Sequence, residues 1–306
     1  MYPILATYSV GLYYNLNPVI ALQEMKIKLV VVRHGQTEWN AVNRINGQGN
    51  SALTKAGVEE SIACGKSLQE LQWDRVLVSD LGRTVETLKF LGLEGHLENR
   101  LRDRNFGPYN GQFYGMYAKA KMDKCQRISK GTGKVNEMSY SSSRSSCVLT
   151  YANGTVRQPS AQKHRQTNGL TNGHSSNNEH KWQNNPFYKV MLTEIEPAGV
   201  ERYQDLFIRI GNLIHDVAYE VSSQEAAGEG RGEANILFVT HCSPARMCAM
   251  VLSSYAFEDE EFPGNLRKCD IPNNSITEFT ITTNAVNHGI ERVDLIKLAS
   301  TKHLHV

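Results

Sequence analysis

Apolar positions along this chain fall into two alternating kinds of run. "KIKLVVV" (Lys26 to Val32) is short, β-branched and almost continuously apolar after its first lysines, as a buried strand requires. "RVLVSD" (Arg75 to Asp80) and "NILFVTH" (Asn235 to His241) repeat that pattern, and "NSITEFTIT" (Asn274 to Thr282) alternates. Between these runs the spacing is helical. Thr54 caps "TKAGVEESIACGKSLQEL", and "LGRTVETLKFL" continues from the second strand as a helix. Glu201 to Val221 carries Tyr203, Leu206, Phe207, Ile210, Leu213 and Ile214 on one stripe. "SPARMCAMVLSSY" predicts a helix with Ser243 as cap and Pro244 at its first position, and a short polar helix starts around Thr37. Strands interleaved with helices predict an α/β fold: a mostly parallel central sheet with helices on both faces.

The pattern fails in two places. From Ser129 to about Asn185, Ser, Asn, Gly, Gln, His and Lys dominate, and stretches such as "QTNGLTNGHSSNNEH" bury too little to offset ordering entropy. This predicts a mildly basic, disordered insertion at about 129–187 within a single domain spanning 26–300; an interaction loop that folds on a protein partner is the alternative. The first 24 residues are apolar and aromatic but hold no Lys or Arg, so the charged start of a secretory leader is missing. Asn15, Asn17 and Pro18 interrupt any membrane span there, and an accessory N-terminal extension over 1–25 is expected. Met25 directly precedes the first strand, so translation from it would also give a complete-looking domain.

Composition narrows the function classes. A formal net charge of +2 over 306 residues gives no general basis for binding nucleic acid or a membrane surface. The six cysteines are scattered without CxxC pairs, which argues against a disulfide framework or a zinc site and for a cytoplasmic setting.

Three strands end alike. The first delivers Arg33 and His34; the second delivers Ser79 and Asp80, then Arg83 in the opening turn of its helix; the third delivers His241. In open α/β sheets ligands bind at the carboxyl ends of strands, where helix N-termini favour anions. Arg83 alone is equally an ion-pair partner, and His241 alone a structural histidine. Two arginines and two histidines on one edge together predict a phosphate pocket.

At "RHGQTEWN" the sequence resembles the histidine phosphatase superfamily, the phosphoglycerate mutase-like proteins. The likeness continues through "NGQGNSALTKAG", "SDLGRTVET", "LENRLRDRNFGPYNGQ", "PAGVERYQDLFIRI", "VTHCSPARM" and "NNSITEF". "NGQG" and "LRDRNFG" look most like the TIGAR-type fructose-2,6-bisphosphatases. The resemblance implies that His34 forms a phosphohistidine. It implies that Arg33, Arg83 and His241 grip phosphoryl oxygens, that Asn40 adds a hydrogen bond, and that Gln48, Gly49 and Ser51 border the pocket. Asp103 would protonate the leaving group. A neutral histidine attacks, nearby arginines hold it neutral and stabilise the transferring phosphoryl group, and no metal or other cofactor is needed.

The chain also departs from the family pattern. Asp103 stands where most relatives carry Glu, shortening the reach by roughly 1.5 Å of chain. The competing reading of Asp103 is a surface ion pair with Arg100, Arg102 or Arg104. Asn110 replaces a second acidic candidate, Cys242 a glycine after the second histidine, and Val200 a glycine before Glu201. The expected substrate is a small phosphorylated metabolite, a sugar bisphosphate first, with lowered fructose-2,6-bisphosphate and restrained glycolysis as the consequence. A phosphoprotein or other small-metabolite phosphatase and a catalytically weak phosphate-binding protein are the alternatives.

Overall fold

The computed structural model describes residues 24–132, 135–140, 147–151, 185–191, 194–226, 231–256, 266 and 269–305. Its sheet is built on β1 (Met25–Arg33), β2 (Arg75–Val78), β3 (His96–Leu97), β6 (Glu233–Thr240), β7 (Ile276–Thr283) and β8 (Ile290–Ser300), ordered β3-β2-β6-β1-β7-β8. β3, β2, β6 and β1 run parallel, and β7 is antiparallel to both β1 and β8. The helices are α1 (Glu38–Ala41), α2 (Lys55–Leu68), α3 (Gly82–Leu91), α4 (Tyr114–Thr132), α5 (Pro186–Met191), α6 (Tyr203–Ala226) and α7 (Cys242–Leu252).

β1 explains why both faces need helices. Ile27, Leu29 and Val31 point to one side, where Ile236 and Phe238 of β6 join them under α6 and α7. Val30 and Val32 point to the other, with Val78, Leu237 and Val239, and meet Cys64 and Leu68 of α2 and Leu88 and Leu91 of α3. A strand buried on both faces reads as a continuous apolar run, which is what "KLVVV" is. The α6 stripe holds: Leu206, Phe207, Ile210, Leu213 and Ile214 all lie in the first core.

The predicted α/β architecture is present, with differences at several edges. Met25 is the first residue of β1 and buried, paired with Thr283, so the extension ends one residue earlier than expected. Residues 1–23 lie outside the described residues. The expected disordered insertion is entered by structure at both ends. α4 runs on to Thr132, and β4 (Val135–Tyr140) pairs antiparallel with β5 (Cys147–Tyr151), whose "CVLTY" has strand character. Downstream, Asn185 buries its side chain and Pro186 opens α5. The rest of that prediction, 133–134, 141–146 and 152–184, is outside the described residues. α7 begins at Cys242 with His241 at its cap, two positions earlier than the Ser243 cap expected, because the strand hands over to the helix without a polar linker. Among the described residues no helix is long and apolar enough to cross a membrane.

Candidate active site

The carboxyl ends of β1, β2 and β6 lie side by side, and the polar side chains they release meet in one buried pocket. Gly35 turns the chain after β1. A Cβ there would lie 2.7 Å from both Gly57 O and Ser61 Oγ on α2, so only glycine permits this close approach. The Gly35 N–H donates to Thr87 Oγ1 at 3.0 Å, and Asn273 Nδ2 donates to His34 O at 2.9 Å. The turn is thereby fastened to α3 on one side and to the residues before β7 on the other.

The His34 imidazole is almost fully buried, with defined partners on both nitrogens. Nδ1 lies 2.7 Å from Gly35 O, and Arg83 Nε donates to Nε2 at 3.2 Å. A carbonyl only accepts and a guanidinium only donates, so Nδ1 carries the proton and Nε2 offers its lone pair. Burial, then the charges of Arg83 and Arg33, hold His34 well below the ordinary imidazole range, against a smaller opposing effect of the Gly35 carbonyl.

Arg83 organises the rest. Its side chain is wholly buried at the start of α3, donating to Gly49 O and Gly47 O at 2.7 Å each, and it lies 3.3 Å from Asp103 Oδ2. Burial brings it down to about 10, still charged at neutral pH. Its backbone N–H is capped by Asn50 Oδ1 at 3.1 Å. The His241 ring stands 5.1 Å from that of His34, edge-on. His241 Nε2 lies 2.8 Å from Ser79 Oγ, while its Nδ1 has no hydrogen-bond partner among the described residues. Burial first, and then Arg83, keep His241 well below the ordinary imidazole range. Arg33 donates to Ile271 O at 2.5 Å, and its buried Nε likewise has no partner among the described residues.

Asp103 is buried beside Arg83. The surface pairing weighed from the sequence is taken elsewhere: Arg102 pairs with Asp80, Arg100 with Glu98 and Asp216, and Arg104 contacts Glu196. Burial pushes the Asp103 carboxyl up, outweighing the downward pull of Arg83 and of the Arg104 N–H.

The remaining candidates sit around this centre in supporting positions. Asn40 Oδ1 accepts from the Thr37 N–H and hydroxyl and from Asn273 Nδ2, closing a capping box at α1. Gly49 contributes its carbonyl to Arg83, and Gln48 Nε2 donates to Asp103 O at 3.3 Å. Ser51 turns its hydroxyl to the Trp39 N–H, so that side chain holds the loop. Asn110 Oδ1 accepts from the Gln48 and Phe106 N–H groups, tying the two rim loops together. Glu201 is engaged by Arg209 and the Asn105 N–H. Sequence reasoning passed over Ser79, Thr87 and Asn273 as site residues. All three are uncharged hydrogen-bonding residues; Ser79 directly follows β2 and Asn273 shortly precedes β7, while Thr87 lies inside α3, where nothing in the sequence marked it.

The arrangement is a neutral imidazole whose Nε2 lone pair faces Arg83 Nε, two buried guanidinium groups, a second imidazole and a carboxyl inclined to hold its proton. That set suits transfer of a tetrahedral dianion through a covalent intermediate. Residues 29–145 match the family model described as histidine phosphatase superfamily (branch 1). Two curated relatives are each named "Probable phosphoglycerate mutase GpmB". The one from Erwinia tasmaniensis is 40% identical over 85 residues, 26% of this chain, and the one from Shigella dysenteriae serotype 1 is 36% identical over the same length. The chain matches only about 40% of those relatives' length. Among solved structures, phosphoglycerate mutase from Bacillus anthracis shares the fold at a TM-score of 0.56 with 19% identity, over 93% of this chain and 97% of that one. A mycobacterial glucosyl-3-phosphoglycerate phosphatase does so at 0.53 with 17% identity, over 90% and 99%.

Proposed function

Proceeding from the histidine phosphatase superfamily, which the family match and the curated relatives support, we propose that this protein is a metal-independent phosphomonoesterase working through a phosphohistidine at His34. The observation that carries the reading is the pair of contacts on that ring, with Nδ1–H held by Gly35 O and Nε2 facing Arg83. In the first step Nε2 donates its lone pair to phosphorus, the bond from phosphorus to the leaving oxygen breaks, and that oxygen takes the proton of Asp103. Arg83 Nε gives up Nε2 for a phosphoryl oxygen as the ester enters. Arg33 Nε and His241 Nδ1 supply further donors, with the Ser79 hydroxyl donating a hydrogen bond to His241 Nε2 so that Nδ1 is the protonated nitrogen of the neutral ring. In the second step water attacks phosphorus and passes a proton to the Asp103 carboxylate; the N–P bond then breaks and its electron pair returns to Nε2.

For the substrate, the proposal is a small phosphorylated metabolite, with fructose-2,6-bisphosphate first, as in the TIGAR-type proteins that "NGQG" and "LRDRNFG" resemble. A second reading, a phosphoglycerate, is favoured by the curated relatives, each a probable phosphoglycerate mutase by name. Phosphate release measured across fructose-2,6-bisphosphate, other phosphorylated sugars, 2- and 3-phosphoglycerate, phosphoserine and phosphopeptides tests both. The first reading expects the highest kcat/KM on fructose-2,6-bisphosphate. Isomerisation of phosphoglycerate faster than its hydrolysis contradicts it, and no turnover or labelling with any ester contradicts the phosphatase reading as a whole.

A further inference from the structure

Beside the pocket lies a second buried polar cluster, with no part in the chemistry described so far. Glu196 stands at its centre. Lys121 Nζ donates to Oε1 at 2.8 Å, Tyr117 OH donates to Oε2 at 2.5 Å, and Lys124 Nζ donates to the Glu196 carbonyl at 2.6 Å. Arg104 Nη2 lies 3.0 Å from Oε1 as a charge contact, without the alignment of a hydrogen bond. The guanidinium of Arg104 is wholly buried and stacks on the Tyr203 ring, 3.9 Å from its centre. It also donates to Glu201 O at 2.8 Å and to Tyr117 OH at 3.2 Å. Two cations thus surround one carboxylate out of water, an arrangement expensive to build for stability alone.

What this cluster fixes is residue 104, and residue 104 touches the acid. The Arg104 backbone N–H donates to Asp103 Oδ1 at 2.9 Å, which leaves Oδ2 facing Arg83. The second clamp on the same loop differs in kind. Glu201 and Arg209 hold main-chain groups of 100–105, at Arg100 O, Arg102 O and the Asn105 N–H. Glu196 is the carboxylate that meets the Arg104 side chain. We infer that Glu196 is a positioning residue for Asp103, acting through Arg104 to set the orientation of the leaving-group acid. The inference rests on the reading of Asp103 as that acid. It also explains why α4 and the segment after α5 come together: both supply the cluster, so the chain on either side of 133–184 is joined where the acid is seated.

The test uses leaving groups and reads kcat/KM, which stops at phosphohistidine formation and so leaves the later attack of water aside; in that first step a mispositioned acid hurts only substrates whose leaving group needs a proton. p-Nitrophenolate departs without one, and phenolate depends on it. Glu196→Gln combined with Lys121→Met removes one negative and one positive charge, keeping the net buried charge unchanged. In the full chain, kcat/KM on phenyl phosphate should fall about tenfold or more while p-nitrophenyl phosphate stays within about twofold. Asp103→Asn should lower phenyl phosphate turnover further in the same direction, and the combined variant should be little slower on it than Asp103→Asn alone. Tyr117→Phe, which removes one hydroxyl from the cluster, should show the pattern at roughly threefold and carries the test if the double variant does not fold. Equal loss on both esters, or no loss on either, overturns the inference while leaving the phosphatase reading intact. A wild-type protein inert on both esters, and unlabelled by either, overturns that reading and the inference with it.

Discussion

Two buried clusters in this molecule share the same charge ratio and behave in opposite ways. In the pocket, Arg83 contacts one carboxyl, Asp103, which also feels the charge of Arg33; in the neighbouring cluster, Arg104 and Lys121 contact one carboxyl, Glu196. Burial raises Asp103 above the ordinary carboxylate range. Burial also pushes Glu196 up, but the charges of Arg104 and Lys121 and the hydrogen bonds from Lys121 and Tyr117 outweigh it and hold Glu196 below that range. The difference lies in how fully each carboxyl is engaged. Each Glu196 oxygen receives a donor, Tyr117 OH at 2.5 Å and Lys121 Nζ at 2.8 Å, with the Arg104 guanidinium 3.0 Å away, whereas Asp103 has one N–H and one longer guanidinium contact at 3.3 Å. Saturation makes a fixed anion. Incomplete pairing leaves an acid able to hold a proton, and buried donors on Arg33 and His241 with no protein partner among the described residues.

The largest expected break comes from the residue that links imidazole, rim and acid. Arg83→Lys keeps a charge but loses the fork that reaches His34, Gly47 O, Gly49 O and Asp103. Phosphatase kcat should drop about 10³-fold with the fold retained by circular dichroism. Next, the two carboxyls should separate stability from activity. Glu196→Gln alone leaves two buried cations uncompensated and should cost about 3–5 kcal/mol in urea unfolding. Asp103→Asn should cost less than half of that, because folding already disfavours its charged form, yet should slow phenyl phosphate hydrolysis about 10²-fold.

The smallest effect expected is in pH dependence. His34 and His241 are both held below the imidazole range when folded. Below about pH 6.5 the unfolded chain therefore binds protons that the folded chain refuses. Stability is fully present above that value and declines as pH falls toward the folded values. The urea midpoint should drop between roughly pH 7.5 and roughly pH 5.5, and less steeply in His241→Asn, which removes one of the two groups. Activity on p-nitrophenyl phosphate should nevertheless persist below the usual imidazole range, since His34 stays neutral there.

Much of the site was legible because its chemistry is local. Arg33 with His34, Arg83 and His241 each follow a strand that announces itself by apolar continuity, and strand ends in such sheets converge by topology. Asp103 was legible through resemblance, and its ion-pair alternative could be settled only by knowing that Asp80 and Glu98 take Arg102 and Arg100. The Glu196 cluster was not legible. Its members sit at 104, 117, 121, 196 and 203, in segments with no shared period, and a buried lysine reads in sequence as an exposed one. α4 was missed for a related reason: "YGMYAKAKMDKCQRISKGT" buries polar and aromatic residues around that cluster, so the usual apolar stripe is thin.

The central claim is that Nε2 of His34 becomes phosphorylated. The direct measurement is rapid alkaline quenching of the protein with a ³²P-labelled ester, followed by peptide mapping and separation of the two phosphohistidine isomers. Alkali-stable, acid-labile phosphate on Nε2 of His34, absent in His34→Ala, is the predicted result. Label on Nδ1, on another residue, or undiminished in His34→Ala would contradict it.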